Sequence, residues 1–148
     1  MMLLEYLDNT IYDEYTIDLY YDKNSNLKCA VPRIRLKVVG GESNQGVTRK
    51  NEVLEYVINK FNFLEGALGC LTLQVFSKKS NPSDIFGIEI NPRFGGGFPL
   101  SYSAGANYPK MLIQEYILEE TVDFVDDWED RLLMLRYDSQ ILVHDYGD

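Results

Sequence analysis

The chain has 148 residues, 45% of them hydrophobic and 25% charged, the size and balance of one globular domain with its own core. Its 23 acidic residues against 14 basic ones give a formal charge of -9, which argues against a nucleic-acid surface, since that needs a basic stripe. No apolar run approaches the roughly 20 residues that span a bilayer, and no basic leader precedes an apolar run. A cytoplasmic protein with no membrane partner is therefore expected.

Two further chemistries are disfavoured. His144 is the only histidine, so a serine or cysteine nucleophile with a histidine base has one possible centre, and no nucleophile elbow supports it. The clustered Cys/His spacing of a zinc site is absent. Cys29 and Cys70 lie in apolar, strand-like runs and read as reduced, buried thiols, with a structural disulfide the lesser alternative.

In chain order, "LLEYL" at 3–7 predicts a strand. "DEYTIDLYYD" at 13–22 alternates, with Tyr15, Ile17, Leu19 and Tyr21 on one face and Glu14, Thr16, Asp18 and Tyr20 on the other. "KNSN" is a turn, and "LKCAVPRIRLKVV" a partner strand. A hairpin centred on Asn24–Ser25 sets Glu14 across from Arg35 and Thr16 across from Arg33, to within a residue or two. Pro32 points to an edge position or a bulge. The glycine-rich "GGESNQG" at 40–46 predicts a mobile loop.

A helix follows in "TRKNEVLEYVINKF", with Val53, Leu54, Val57, Ile58 and Phe61 at helical spacing and Thr48 as N-cap. "ALGCLTLQVF" and "IFGIEINP" read as strands around a turn near Asn81–Pro82. "YPKMLIQEYILE" is a short amphipathic helix with Pro109 in its first turn. "DRLLMLRYDSQILVHDY" supplies one or two closing strands. The whole reads as a single α+β domain over 1–148, mainly antiparallel.

The chemistry concentrates in "FGIEINPRFGGGFP", residues 86–99. In the hairpin around Asn81–Pro82, Gln74 falls opposite Glu89 or one step along. Gln74, Glu89 and Asn91 then share a face, while Leu73, Val75, Ile88 and Ile90 turn to the core. Three oxygen-bearing side chains on one face suit a hard cation such as magnesium, which completes its shell with water and phosphate. Arg93 would reach the same side and suits a phosphoryl oxygen. Gly95, Gly96 and Gly97 let the backbone approach a charged ligand closely. The plainer alternative is a solvated Glu89 paired with Arg93, followed by a simple glycine turn.

"FGIEINPRFGGGFPLSYSAGANYP" closely resembles the metal and phosphate segment of ATP-grasp enzymes, particularly the carbamoyl-phosphate-synthase large-subunit type, whose segment reads E-x-N-P-R. "LTLQVF" is similar to the family strand that carries a glutamine ligand. "LEYLDNTIYDEYTIDLYYDKN" resembles the hinge strand and the strand after it, and "VPRIRLKVVGGESNQGVT" the next strand and loop. The likeness runs colinearly through most of residues 3–118.

The resemblance implies the C-terminal subdomain of an ATP-grasp module, an antiparallel sheet flanked by helices. It further implies ATP and Mg²⁺ (or Mn²⁺) as cofactors, with Gln74, Glu89 and Asn91 as metal ligands and Arg93 on the phosphate. Glu5, Tyr6 and Leu7 match the hinge that meets adenine, and Glu14 a glutamate that meets the ribose. Arg33 and Arg35 match basic positions of open role; cross-strand pairing with Glu14 and Asp18 is an equal alternative.

The implied chemistry is ATP-dependent ligation, in which a carboxylate is phosphorylated and the acyl phosphate is attacked by an amine or similar nucleophile. The implied partners are ATP and a carboxylate-bearing small molecule, with a homodimer also allowed. In the family an N-terminal half supplies a lysine and a glycine-rich loop over the phosphates. Nothing here matches that half, which is expected from the same gene or a split partner, so the isolated chain is expected to be inactive. The rival reading is a non-catalytic nucleotide-binding or assembly module.

Overall fold

The computed structural model describes residues 5–39 and 42–137, together with 142 and 144. Their centre is β1 (Tyr12–Tyr21), whose alternation lets it bury both faces. It pairs on one side with β2 (Leu27–Val39) and on the other with β4 (Gly69–Lys78). Outside β2 lie β3 (Glu42–Thr48) and then β6 (Leu133–Leu135); outside β4 lies β5 (Asn81–Asn91). Every pairing between these strands is antiparallel.

One sheet face packs Tyr15, Ile17, Leu19 and Tyr21 with Leu73 and Val75 against Val53 and Val57 of α1 (Glu52–Lys60). The opposite face gathers Tyr20, Cys29 and Val31 under α2 (Phe98–Ser103), α3 (Tyr108–Tyr116) and Trp128. Each face thus removes a contiguous apolar cluster from water, the main force holding such layers together. The α+β class with helices flanking an antiparallel sheet is therefore what the chain adopts. Among the described residues, no helix is long and apolar enough to cross a membrane.

The first hairpin follows the expected register. Thr16 stands opposite Arg33 and Tyr15 opposite Ile34. Its turn is closed by Asp22, whose Oδ1 accepts from the Asn24 and Asn26 amides at 2.8 and 2.9 Å. Burial alone would push the Asp22 carboxyl up; these amides and Lys28 outweigh it, and the net shift is downward. Pro32 is not at an edge, since β2 is interior. It is tolerated because the β2–β3 ladder ends at Arg33 opposite Thr48, one residue short of the proline.

Several expectations need correction. Residues 5–7 belong to no strand: both neighbours of β1 are already taken by β2 and β4, and the entering chain turns at Asp8, whose carbonyl accepts from the Ile11 and Tyr12 amides. Residues 3 and 4 lie outside the described residues. The loop expected at 40–46 is, from Glu42 onward, strand β3, which is paired to β2 and, from Gln45, to β6; Gly40 and Gly41 lie outside the described residues.

The N-cap of α1 is Asn51, whose side chain accepts from the Val53 amide. Thr48 is instead committed to the sheet edge, donating to the Glu129 carbonyl and accepting from the Leu132 amide. Ile88 and Ile90 are not core residues: they remain 47% and 44% exposed because β5 is the outermost strand. Helix α2, inside what reads as an extended glycine loop, has no counterpart in the periodicity. The helix expected from "YPKMLIQEYILE" is α3, with Pro109 in its first turn and Asn107 accepting from the Lys110 amide.

Candidate functional site: one sheet face beside the glycine loop

The β4–β5 hairpin sets the site. Its turn is shorter than expected and lies at Lys79–Ser80, since Lys78 already pairs with Asn81. Two irregularities restore the offset: residues 82–84 bulge out, held by Ser77 Oγ donating to the Pro82 carbonyl at 2.9 Å, and Ile88 is an extra residue between Gly87 and Glu89. The result is that Gln74 stands directly opposite Glu89, and Thr72 opposite Asn91.

Two cross-strand rows then run over the same face. One is Arg33, Thr16, Gln74 and Glu89; the next is Val31, Asp18, Thr72 and Asn91. Asn91 Nδ2 donates to Glu89 Oε1 at 2.8 Å, which leaves Asn91 Oδ1 and Glu89 Oε2 as oxygen donors. Glu14 is paired with Arg35 and Asp18 with Arg33. Among the described residues Glu89 has no ion-pair partner, so it is the carboxylate of this face not matched by a cation. The alternative pairing of Glu89 with Arg93 is not formed: Arg93 Nη1 donates to the Phe94 carbonyl at 3.2 Å.

The glycine loop folds back over these rows. Thr72 Oγ1 donates to the Arg93 carbonyl at 2.8 Å. Asp18 and Arg33, each 1% exposed, lie under the loop with Arg33 Nε on Asp18 Oδ2 at 2.8 Å and Nη2 on Oδ1 at 3.1 Å. Ser101 Oγ from α2 donates to the same carboxylate. The Tyr108 hydroxyl, held protonated by burial, donates to the Asp18 carbonyl at 2.8 Å. Arg33 is thus a partner of Asp18, and Arg35 pairs with Glu14 across the hairpin.

This packing demands glycine at 97 and leaves little space for a side chain at 95. A methyl group on Gly97 would overlap Arg33 Nη1 and come 3.0 Å from its Cζ, and one on Gly95 would lie 3.2 Å from Thr72 Oγ1. Composition suggested glycines for ligand approach; the observed neighbours are the chain's own ion pair and threonine. The tie between this pair and the loop, through Thr72 and Ser101, left no signal in the sequence.

Glu14 lies about one row further along, where a cleft of about 520 Å³ opens between the end of β2 and the Lys79 turn. Glu14, Arg35, Lys37, Asp13 and Lys79 line it, so it combines cationic and anionic groups suited to a polar ligand. Glu5, Tyr6 and Leu7 do not line this cleft; Tyr6 is 83% exposed. The structure therefore brings Gln74, Glu89 and Asn91 together on one face, with the Arg93 carbonyl tied to neighbouring Thr72, and leaves the three hinge residues apart from the cleft beside Glu14.

Residues 1–135 match the profile of a family described as ATP-grasp in the biosynthetic pathway with Ter operon. The chain is an ATP-grasp protein. Solved structures agree on the fold of this ATP-grasp chain. A variant of Rhizobium etli pyruvate carboxylase superposes with a TM-score of 0.59 at 13% identity, over 89% of this chain and 14% of that one. Kluyveromyces lactis urea carboxylase gives 0.57 at 9% identity, over 82% of this chain and 11% of that one. The ATP-grasp chain thus spans only a small share of either enzyme. No curated protein matches it in sequence.

Proposed function

We propose that this chain carries the cation- and phosphate-binding side of an ATP-dependent ligase site, with Gln74, Glu89 and Asn91 as ligands for Mg²⁺ or Mn²⁺ and Arg93 on a transferring phosphate. The observation that carries the reading is the unmatched Glu89 carboxylate, bonded to Asn91 and directly opposite Gln74 on one face. A single carboxylate with two carboxamide oxygens is a hard-oxygen set. It fits magnesium, which takes its remaining ligands from water and phosphate.

Among the described residues, no group of three or more acidic, histidine or cysteine side chains is arranged so that it could hold a metal ion. One carboxylate holds a divalent ion weakly by itself, so the ion would enter together with the nucleotide. Held by Gln74, Glu89 and Asn91, it would neutralise charge that develops on the phosphates during transfer. Glu14 in the cleft between β2 and the Lys79 turn is the proposed ribose contact, and Glu5, Tyr6 and Leu7 the hinge contacts to adenine. In this reading the hinge must fold toward the cleft on binding.

The reaction class we assign is activation of a carboxylate by ATP followed by attack of an amine or related nucleophile, as in carbamoyl-phosphate-synthase-like ligases, in the cytoplasm. Glu89 and Arg93 are exposed, and phosphoryl transfer needs water excluded and the nucleotide clamped. The covering half is proposed to come from further polypeptide, in the same chain or a partner.

The test is Mn²⁺ titration followed by electron paramagnetic resonance, with and without ATP. Wild type should bind Mn²⁺ in an ATP-dependent manner, and Glu89→Gln should weaken that binding by about tenfold or more. Glu120→Gln, on the exposed segment after α3, should leave it unchanged. Equal binding by wild type and Glu89→Gln would remove Glu89 from the metal shell.

A further inference from the structure

Arg93 lies on a segment that has no regular structure of its own, between the end of β5 and α2. Its position depends on what holds that segment. Among the described residues, the one side chain that bonds the Arg93 backbone is Thr72, which reaches across from β4 to the Arg93 carbonyl at 2.8 Å. Thr72 is 2% exposed and sits in the row of Asp18 and Asn91. Beneath the loop, the Asp18–Arg33 pair and Ser101 join β1, β2 and α2 into one rigid seat. Gly95 and Gly97 press onto that seat: a side chain at 95 would crowd Thr72 and Asp18, and at 97 Arg33 leaves no room for one.

A buried ion pair is a poor source of stability compared with apolar packing, because desolvation offsets most of its attraction. What it does supply is directional bonding, and here the bonds converge under the loop. We propose that Thr72 is a positioning residue for Arg93: its hydroxyl fixes the Arg93 carbonyl, and the Asp18–Arg33–Ser101 seat holds the following glycines, so that the guanidinium is presented at a set height beside Glu89 and Asn91. Thr72 would not touch the nucleotide. The inference rests on the reading of Arg93 as a phosphate contact.

Thr72→Val keeps the shape and removes the hydroxyl; Thr72→Ser restores it. Two measurements on the full chain separate the possibilities. The first is hydrogen exchange, without ligand, at the Phe98 amide, which donates to the Gly95 carbonyl at 3.0 Å. Exchange there should speed up about tenfold in Thr72→Val, the worth of one hydrogen bond, and return to wild type in Thr72→Ser. Unchanged exchange would overturn the seat.

The second is Mn²⁺–ATP affinity in a double-mutant cycle with Arg93→Ala. Thr72→Val should weaken binding several-fold in the wild-type background, Thr72→Ser should restore it, and the effect should vanish in Arg93→Ala. The same loss in both backgrounds, or none in either, would overturn the inference while leaving the function intact. If wild type bound no Mn²⁺–ATP, the proposed function would fall, and with it the role given to Thr72.

Discussion

Gly97 lies flush against Arg33: a methyl group on its Cα would overlap Nη1 and stand 3.3 Å from Nη2. Arg33 cannot easily withdraw, because two of its nitrogens are bonded to Asp18 and the side chain is buried. Gly97→Ala should therefore destabilise the fold by about 1–3 kcal/mol, the usual cost of overpacking. Gly87→Ala meets open space on β5 and should stay within about 0.5 kcal/mol of wild type. Urea denaturation of both variants checks the contrast; equal stabilities would mean the loop moves freely off the arginine.

Removing one member of the buried pair should cost more than removing both. Arg33→Met leaves the Asp18 carboxylate buried without its cation, with an expected loss of about 3–5 kcal/mol. Asp18→Leu combined with Arg33→Met should recover a large part of that loss, since both charges then leave the interior together. The measurement is the shift in denaturation midpoint at constant slope. A double variant less stable than Arg33→Met would argue that the pair is a net source of stability.

Alkaline pH should unfold the chain early. Burial pushes the Cys29 and Cys70 thiols up to about 12 from an ordinary 9.0, and the Tyr21 phenol up to about 12 from 10.0. Groups with raised folded values keep their protons longer when folded. Their stabilisation is whole below the unfolded values and is lost as pH rises toward 12. Melting temperature should be flat from neutral to about pH 9 and then fall, and Cys70→Ala should shift the onset of that fall upward. A flat profile to pH 12 would contradict the burial of these groups.

Cys29 and Cys70 should not form a disulfide with each other. Both are free thiols, and both stand opposite Tyr20, one on each neighbouring strand. Two strand spacings separate their backbones by about 9–10 Å, beyond the roughly 7 Å a disulfide can bridge. Treatment with diamide followed by mass spectrometry of the intact chain should show no intramolecular loss of two hydrogens. Such a loss would require β1 to leave the sheet.

Alternation and turn residues made much of the sheet legible from sequence. The β1–β2 register follows from the polar turn and the two alternating runs, because a one-residue slip would send Ile17 and Leu19 to the opposite face. The pairing of Gln74 with Glu89 was also anticipated, although the turn and the two bulges that produce it were not. Bulges leave no periodic trace, since they break the period they restore.

What the sequence by itself determined was local: which residues alternate, where oxygen-bearing side chains fall on one face, and a motif whose ATP-grasp family the match over residues 1–135 bears out. Only tertiary structure decided what those side chains meet. Residues 42–46 look like a loop by composition and belong to a strand because β2 and β6 offer its backbone partners. Ile88 and Ile90 look like core and are exposed because their strand ended at the sheet edge. Gly97 looks like freedom for a ligand and is, in the fold, the space that Arg33 fills. Contacts between residues more than sixty positions apart, such as Gly97 with Arg33, depend on how the layers stack, and no local propensity encodes that.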